Sequence, residues 1–420
     1  MIILYIHFIW DKFFSLKGGT IVFCVRKVTE DLYWVGGNDR RLALFENIHP
    51  IPNGVSYNSY LLLDEKTVLF DTVDWSISRQ FIENIEHVLN GRELDYLVIN
   101  HMEPDHGASI EEIVLRYPNV KIVSTAKAFV FMRQFGFDIE GRIEEVKDGD
   151  IKSFGKHEIK FITAPMVHWP EVMVSFDLSN GVLFSADAFG TFGALDGKLF
   201  TSEYRSEEEW IDEARRYYTN IVGKYGLQVQ TLFKKVSGLD IKMICPLHGP
   251  IINENLGYYL EKYDKWSKYE PEEKAVMIAY ASMYGNTESA INALACKLVE
   301  RGIRNLVVYD VSSTHVSTLI SESFRVSNIV LASPTYNSGI YPPMLNYLHD
   351  MKALNLQNRN VTLIENGTWG STTNRQMTEF FKGMKAMNIL EEKVSILSAM
   401  SEKDIVNMDS LVESIIGSMK

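Results

Sequence analysis

The chain has 420 residues, 46% of them hydrophobic and 23% charged, with a formal net charge of −12. At roughly 150 residues per domain this gives two to three domains with room for more than one core, and the hydrophobic share excludes a disordered chain. The negative balance excludes a general attraction to nucleic acid or anionic lipid, and three cysteines (Cys24, Cys245, Cys296) with no CxxC pair exclude a disulfide framework or a CxxC metal knuckle.

The apolar start, Met1 to Trp10, is too short to span a bilayer and lacks both a basic flank and a small-residue cleavage site, which points to a cytoplasmic protein. Residues 1–24 read as an extension, because the first strand-and-turn pattern begins at Val25. Lys17, Gly18 and Gly19 are encodable by AAAGGAGGT, a ribosome-binding sequence, so the expected native start is a valine codon such as that of Val22; the alternative is an ordinary terminal extension.

From there short apolar runs alternate with turn signals: SYLLL, TVLFD, YLVIN, VKIVS, IKFITA, VMVSFD, GVLFSAD and KMICP. These predict many strands and few long helices. The run Leu94 to Asn100 opens into HMEPDHGAS, where Pro104 and Gly107 predict a tight loop before a helix from Ser109. In that loop His101, Glu103, Asp105 and His106 can converge on one point. His168, Asp187 and His248 each follow a later apolar run, and strand ends at one edge of a sheet are close in space. Singly, each residue reads as a turn or capping residue. Together they suffice for two metals, each with three terminal ligands, and one bridging carboxylate. His7, His49, His87, His157, His315 and His349 lack such company and read as structural.

The polar segment Glu261 to Lys274, with Pro271, marks the expected domain junction. Beyond it AVMIAYA, NLVVYDV, NIVLASPT and VTLIENG alternate with helix-period segments at Glu288 to Arg301, Val316 to Phe324, Pro342 to Met351 and from about Thr373. This is the βαβ rhythm of a doubly wound parallel sheet. Ser282, Met283, Tyr284, Gly285, Asn286 and Thr287 lie between the first strand and its helix, where hydroxyls and backbone N–H groups form either an anion site or an ordinary turn. Two more loops, Ser333, Pro334, Thr335, Tyr336, Asn337 and Gly339, and then Asn366, Gly367, Thr368, Trp369 and Gly370, follow later strands near the expected switch point. Tyr336 and Trp369 either stack on a bound ring or pack in the core.

The HxExDH cluster, followed by His168, Asp187 and His248 with 61, 18 and 60 residues intervening, resembles that of the flavodiiron proteins, and SxYGNT is similar to the FMN phosphate loop of flavodoxins. The resemblance runs from Val25 to the C-terminus. It implies an N-terminal metallo-β-lactamase-like αββα sandwich at residues 25–268 and a C-terminal flavodoxin-like doubly wound sheet at 275–420. It also implies two non-haem irons, one held by His101, Glu103 and His168, the other by Asp105, His106 and His248, with Asp187 between them. The related hydrolases carry a histidine where Glu103 stands; a carboxylate makes a harder, more anionic site that suits iron over zinc.

The function so implied is reduction of dioxygen to water, of nitric oxide to nitrous oxide, or both. Electrons pass through FMN from rubredoxin or another carrier such as a reduced deazaflavin, in a head-to-tail homodimer or a dimer of such dimers. Without a CxxC pair the donor is expected to be separate. No nucleic-acid or membrane partner is expected. Two other readings stand beside it: a zinc-dependent hydrolase with an accessory flavodoxin-like domain, and an electron carrier whose first domain is a metal-free scaffold.

Overall fold

A computed structural model describes residues 23–419. The expectation about the chain start falls on residues outside that range. Phe23 and Cys24, placed in the extension by the sequence pattern, are joined to the first domain: Phe23 stacks on His87, and Cys24 N–H donates to Asn84 Oδ1 at 3.0 Å.

The first half is built on two sheets. Strands Leu32–Trp34, Tyr60–Leu63, Thr67–Phe70, Tyr96–Val98 and Lys121–Ser124 run in that order through a seven-stranded sheet. Its last strands are parallel and are linked by helices Ser78–Leu89 and Ile110–Arg116, as parallel pairing requires a crossover. Glu158–Thr163, Met173–Asp177, Val182–Phe184 and Met243–Cys245 lie in that order in a five-stranded sheet.

Alternation along the strands decides what each face covers. Tyr60, Leu62, Val68 and Phe70 join Phe161, Met173 and Phe184 in the core between the sheets, where Phe70 stacks on Phe184 at 3.9 Å. The intervening Leu61, Leu69 and Leu97 share a second core with Phe81, Ile85 and Ile113 of the covering helices. Val174, Leu183 and Ile244 of the other sheet belong to it too, with Leu232, Tyr263 and Trp266 of helices Gly226–Val236 and Leu256–Ser267. Helix, sheet, sheet, helix is the resulting order.

The second half is one parallel sheet in the order Leu306–Asp310, Glu273–Tyr280, Val326–Tyr336, Arg359–Asn366, Met387–Ile396. Val276 and Ile278 face helices Asn286–Glu300 and Glu402–Ser418, whereas Ala275, Met277 and Ala279 face Val316–Arg325 and Pro342–Ala353. The sheet is doubly wound, and its order reverses beside Glu273–Tyr280.

Two elements depart from the sequence pattern. Helix Leu256–Ser267 runs into the expected junction and strand Glu273–Tyr280 starts inside it, leaving only residues 268–272 between. Tyr259, Tyr263 and Trp266 form a buried helical stripe among the charges of that segment, and the charges masked it. Strand Met387–Ile396 was not anticipated, because Glu391, Glu392 and Lys393 break its alternation at the sheet edge. Among the described residues no helix is long and apolar enough to cross a membrane.

His157 ties the two sheets together. Its Nδ1 meets Asp177 Oδ2 at 2.5 Å and its Nε2 meets Asp31 Oδ2 at 3.0 Å, with Asp31 leading into one sheet and Asp177 ending a strand of the other. The bond to Asp177, with that to Asp31, raises the imidazole to about 9. Because the folded value lies above the ordinary 6.5, the clamp contributes fully below about pH 6.5 and is lost as pH rises toward 9. His157→Ala is expected to cost about 3 kcal/mol in urea denaturation near pH 6 and much less above pH 9; a cost independent of pH would refute a charged clamp.

Candidate functional site

The loop after strand Tyr96–Val98 is shaped by Asp71. Its buried carboxylate accepts from Asn100 N–H and Asn100 Nδ2, both at 2.7 Å, and from His101 N–H at 3.2 Å. A short helix Pro104–Gly107, opened by proline at its first turn, then reverses the chain and brings Asp105 and His106 to the side where His101 and Glu103 lie. Strands Val182–Phe184 and Met243–Cys245 are parallel neighbours, so Asp187 and His248 emerge at the same edge, joined by Leu247 N–H to Ala186 O at 3.0 Å.

The structure brings all seven of these residues together, in two nests. One holds His101, Glu103, His168 and Asp187, with donor atoms within 4.8 Å of one another; the other holds Asp105, His106 and His248. Asp187 faces both. Its Oδ2 lies 3.2 Å from His101 Nε2 and 3.1 Å from His168 Nε2, and its Oδ1 lies 3.5 Å from His106 Nε2 and 3.7 Å from His248 Nε2. Glu103 Oε2 is 2.9 Å from His168 Nε2, and Asp105 Oδ2 is 3.2 Å from His248 Nε2.

This donor set fits a pair of cations. The oxygens of Asp105 and Asp187 are buried without hydrogen-bond donors, and His106 Nε2 faces His248 Nε2 at 3.0 Å. His248 Nδ1–H donates to Ser56 O at 2.7 Å and His101 Nδ1–H to Glu171 Oε1 at 2.8 Å, which turns both Nε2 lone pairs inward. Burial opposes charge on these rings, but Asp187 and Glu103 outweigh it, raising His101 well above the usual imidazole range and His168 to about 9. Burial likewise opposes the Asp187 carboxylate, and the surrounding imidazoles hold it well below the usual range. The nests seek positive charge.

Several residues at the site carry no signal in the sequence. Glu171 supports His101. Tyr217, at the end of helix Ile211–Tyr217, is fully buried with its ring 5.3 Å from that of His248 and its hydroxyl without a partner. Gly190 admits the ring, since a Cβ there would stand 2.8 Å from Tyr217 Cε1. Glu46 sits at a hairpin tip between Leu44–Phe45 and His49–Pro50, with its Oε2 3.7 Å from His49 Nε2. Partial burial and the neighbouring Glu103 carboxylate push it up to about 8. Each is a common residue type made special only by contacts distant in sequence. A cleft of about 430 Å³, lined by Phe131, Phe135, Met166, Trp169, Pro170 and Tyr225, opens beside His168.

A second cavity, about 520 Å³, lies at the carboxyl ends of the parallel strands of the second half. Ser282, Met283, Tyr284, Asn286 and Thr287 line it, together with Pro334, Thr335, Tyr336 and Asn337 and with Asn366, Gly367, Thr368, Trp369 and Gly370; Ser338 and Ser398 line it as well. Gly285, Ser333 and Gly339 do not. Gly285 caps helix Asn286–Glu300 at φ 89°, Ser333 is buried, and Gly339 pairs back on the strand before it. Asn366 links the loops, donating to Ser398 O at 2.9 Å and accepting from Ser398 N–H at 3.1 Å. No acidic or basic side chain lines the cavity; hydroxyls, amides and a helix N-terminus do, which suits a phosphate and a flat heterocycle. Trp369 is 94% exposed and Tyr336 42%, so neither packs in the core.

Residues 55–249 match the family described as ODP family beta lactamase. The chain is 30% identical over 357 residues to an anaerobic nitric oxide reductase flavorubredoxin of Escherichia coli, covering 84% of this chain and 74% of that one. It superposes on the rubredoxin oxygen:oxidoreductase of Desulfovibrio gigas with a TM-score of 0.88 at 27% identity, covering 94% of this chain and 98% of that one. The flavodiiron protein of Giardia intestinalis shares the fold with the same TM-score at 24% identity, over 96% and 99%.

Asp71→Ala would leave three buried donors of the first loop without an acceptor. A loss of about 3 kcal/mol in unfolding free energy is expected. A loss below about 1 kcal/mol in urea denaturation would mean that the loop is held by other contacts.

Proposed function

The chain belongs to the flavodiiron proteins, a family of oxidoreductases, and from that premise we propose that it reduces dioxygen to water, nitric oxide to nitrous oxide, or both, with electrons drawn through FMN from an external carrier. The observation that carries this reading is Asp187, whose two oxygens face two nests of imidazole and carboxylate in a chain that also builds a phosphate-and-ring cavity. His101, Glu103 and His168 would hold one iron and Asp105, His106 and His248 the other, with Asp187 shared. When bound, two irons and a reduced flavin together supply the four electrons that dioxygen requires, or the two required by a pair of nitric oxide molecules.

The protein's own groups do the rest. Glu103 and Asp187 set the anionic field that favours iron over zinc. The Tyr217 hydroxyl, buried beside His248 and unpartnered, is a donor for an oxygen atom held at the site. The largely apolar cleft beside His168, which Gln134 also lines, suits approach of an uncharged diatomic gas. In the second half Ser282, Asn286 and Thr287 would hold the FMN phosphate at the helix start, and Tyr336 and Trp369 would flank the ring.

We assign the diiron domain to residues up to 268 and the FMN domain to the part that opens with strand Glu273–Tyr280. Rubredoxin is the proposed carrier, which the name of the Desulfovibrio gigas relative supports. A head-to-tail homodimer would place one chain's flavin against the partner's irons, and an active monomer in analytical ultracentrifugation would refute it.

The purified protein is expected to hold about two irons and one FMN per chain and, once fully reduced, to reoxidise its flavin rapidly in stopped flow with one or both gases. Zinc in place of iron, or a flavin that neither gas reoxidises quickly, would return the chain to the hydrolases. Asp187→Asn is expected to weaken metal binding in both nests, and His248→Ala in one, by iron analysis after dialysis.

A further inference from the structure

Glu171 belongs to neither nest, yet its carboxylate lies directly behind one of them. Its Oε1 is 2.8 Å from His101 Nδ1 and 2.9 Å from Met102 N, and neither the His101 nor the Glu171 side chain is exposed at all. The main chain at Glu171 is pinned as well, because Thr125 Oγ1 donates to the backbone carbonyl Glu171 O at 3.1 Å. Trp169 stands edge-on to the His101 ring at 5.5 Å and leaves it little room to turn. A buried carboxylate is costly unless a positive group faces it, and a neutral imidazole alone offsets little of that cost.

We infer that Glu171 is the positioning residue of the first nest: by accepting the Nδ1 proton of His101 it fixes the tautomer that presents Nε2 inward, and its charge strengthens that nitrogen as a metal donor. The inference rests on the metal-centre reading above. It also makes the two nests unequal. In the second nest the outer nitrogen of His248 meets a neutral backbone carbonyl, Ser56 O, and that of His106 has no partner. Among these three rings only His101 is backed by a full negative charge, so the metal in its nest gains most from the residue behind the ligand. A hydrogen-bonded carboxylate behind a ligating imidazole is worth about 10- to 100-fold in metal affinity.

The test is Glu171→Gln in the full chain. The glutamine carbonyl still accepts from Met102 N–H and His101 Nδ1–H, so those two hydrogen bonds are kept while the charge is lost, and the amide nitrogen takes the place of Oε2, which has no hydrogen-bond partner. Metal-free wild type and variant are loaded with cobalt(II) and dialysed against graded chelator, with bound cobalt counted. Wild type should retain two equivalents. In the variant one equivalent is expected to leave at about 10- to 100-fold lower chelator strength while the other stays within threefold of wild type.

If both equivalents are retained as in wild type, the inference is overturned. Equal weakening of both overturns it too, since Glu171 would then act on the whole fold. A wild type that binds no second equivalent overturns the metal-centre reading instead. Should the variant fail to fold, the zinc-loaded wild type decides: proton NMR is expected to show a low-field, exchange-protected imidazole N–H coupled to the His101 ring, and its absence overturns the inference.

Discussion

Asp187 is a carboxylate taken wholly out of water, with no hydrogen-bond donor on either oxygen, and the first domain is organised around that fact. A buried carboxylate costs several kcal/mol unless positive charge faces it. Four imidazoles converge on it, two on each oxygen, and Glu103 and Asp105 add further negative charge on both sides. Such a cluster is suited to hold cations. Its geometry follows from where a protein can gather that many side chains without breaking a core: the open edge at which strands of two facing sheets end.

Keeping that edge in register requires polar groups that never touch the nests. Asn58 lies beneath them, accepting from Trp34 Nε1 at 2.9 Å and donating to Pro246 O and Gly249 O at 2.9 and 2.8 Å, so it holds the His248 loop from both sides. Ser175 donates to Asn100 Oδ1 at 2.7 Å, which couples the second sheet to the loop that Asp71 shapes in the first. These are buried polar residues with their hydrogen bonds made, and satisfaction of that kind makes a loop rigid. Rigidity matters because ligand atoms must meet within a few tenths of an ångström.

Buried polar contacts tie the two halves together. Glu272, just before the first strand of the second half, is wholly buried and accepts from Arg215, from Lys262 at 2.6 Å and from Trp266 Nε1 at 2.6 Å. Arg359 is buried inside the second half and donates to the backbone of Ser323, Phe324 and Tyr269, the last of these in the short connection. His49, next to the hairpin that carries Glu46, faces His315 across the boundary at 6.5 Å. The part that carries the flavin cavity and the part that carries the metal nests are therefore tied together within one chain.

Much of this was legible in the residues. The period-2 runs of the first half and the βαβ rhythm of the second are local signals, since each strand advertises its own burial. The spacing of His101, Glu103, Asp105 and His106 in one Pro- and Gly-bounded loop is local too, and so is the SxYGNT turn before its helix. What failed locally was anything masked by charge: the stripe of Tyr259, Tyr263 and Trp266 within a polar segment, and the edge strand interrupted by Glu391 and Glu392. The sequence by itself determined the strand-rich first half, the doubly wound second half and which side chains could ligate, because residue type and short-range spacing carry those, whereas the sandwich fold and the redox chemistry were implied by the family resemblance. Only the tertiary structure decided that Asp187 faces both nests, that Glu171, Tyr217 and Glu46 stand around them, and that Trp369 lies open at a cavity mouth, because each depends on contacts between residues far apart in the chain, and no local pattern encodes a direction in space.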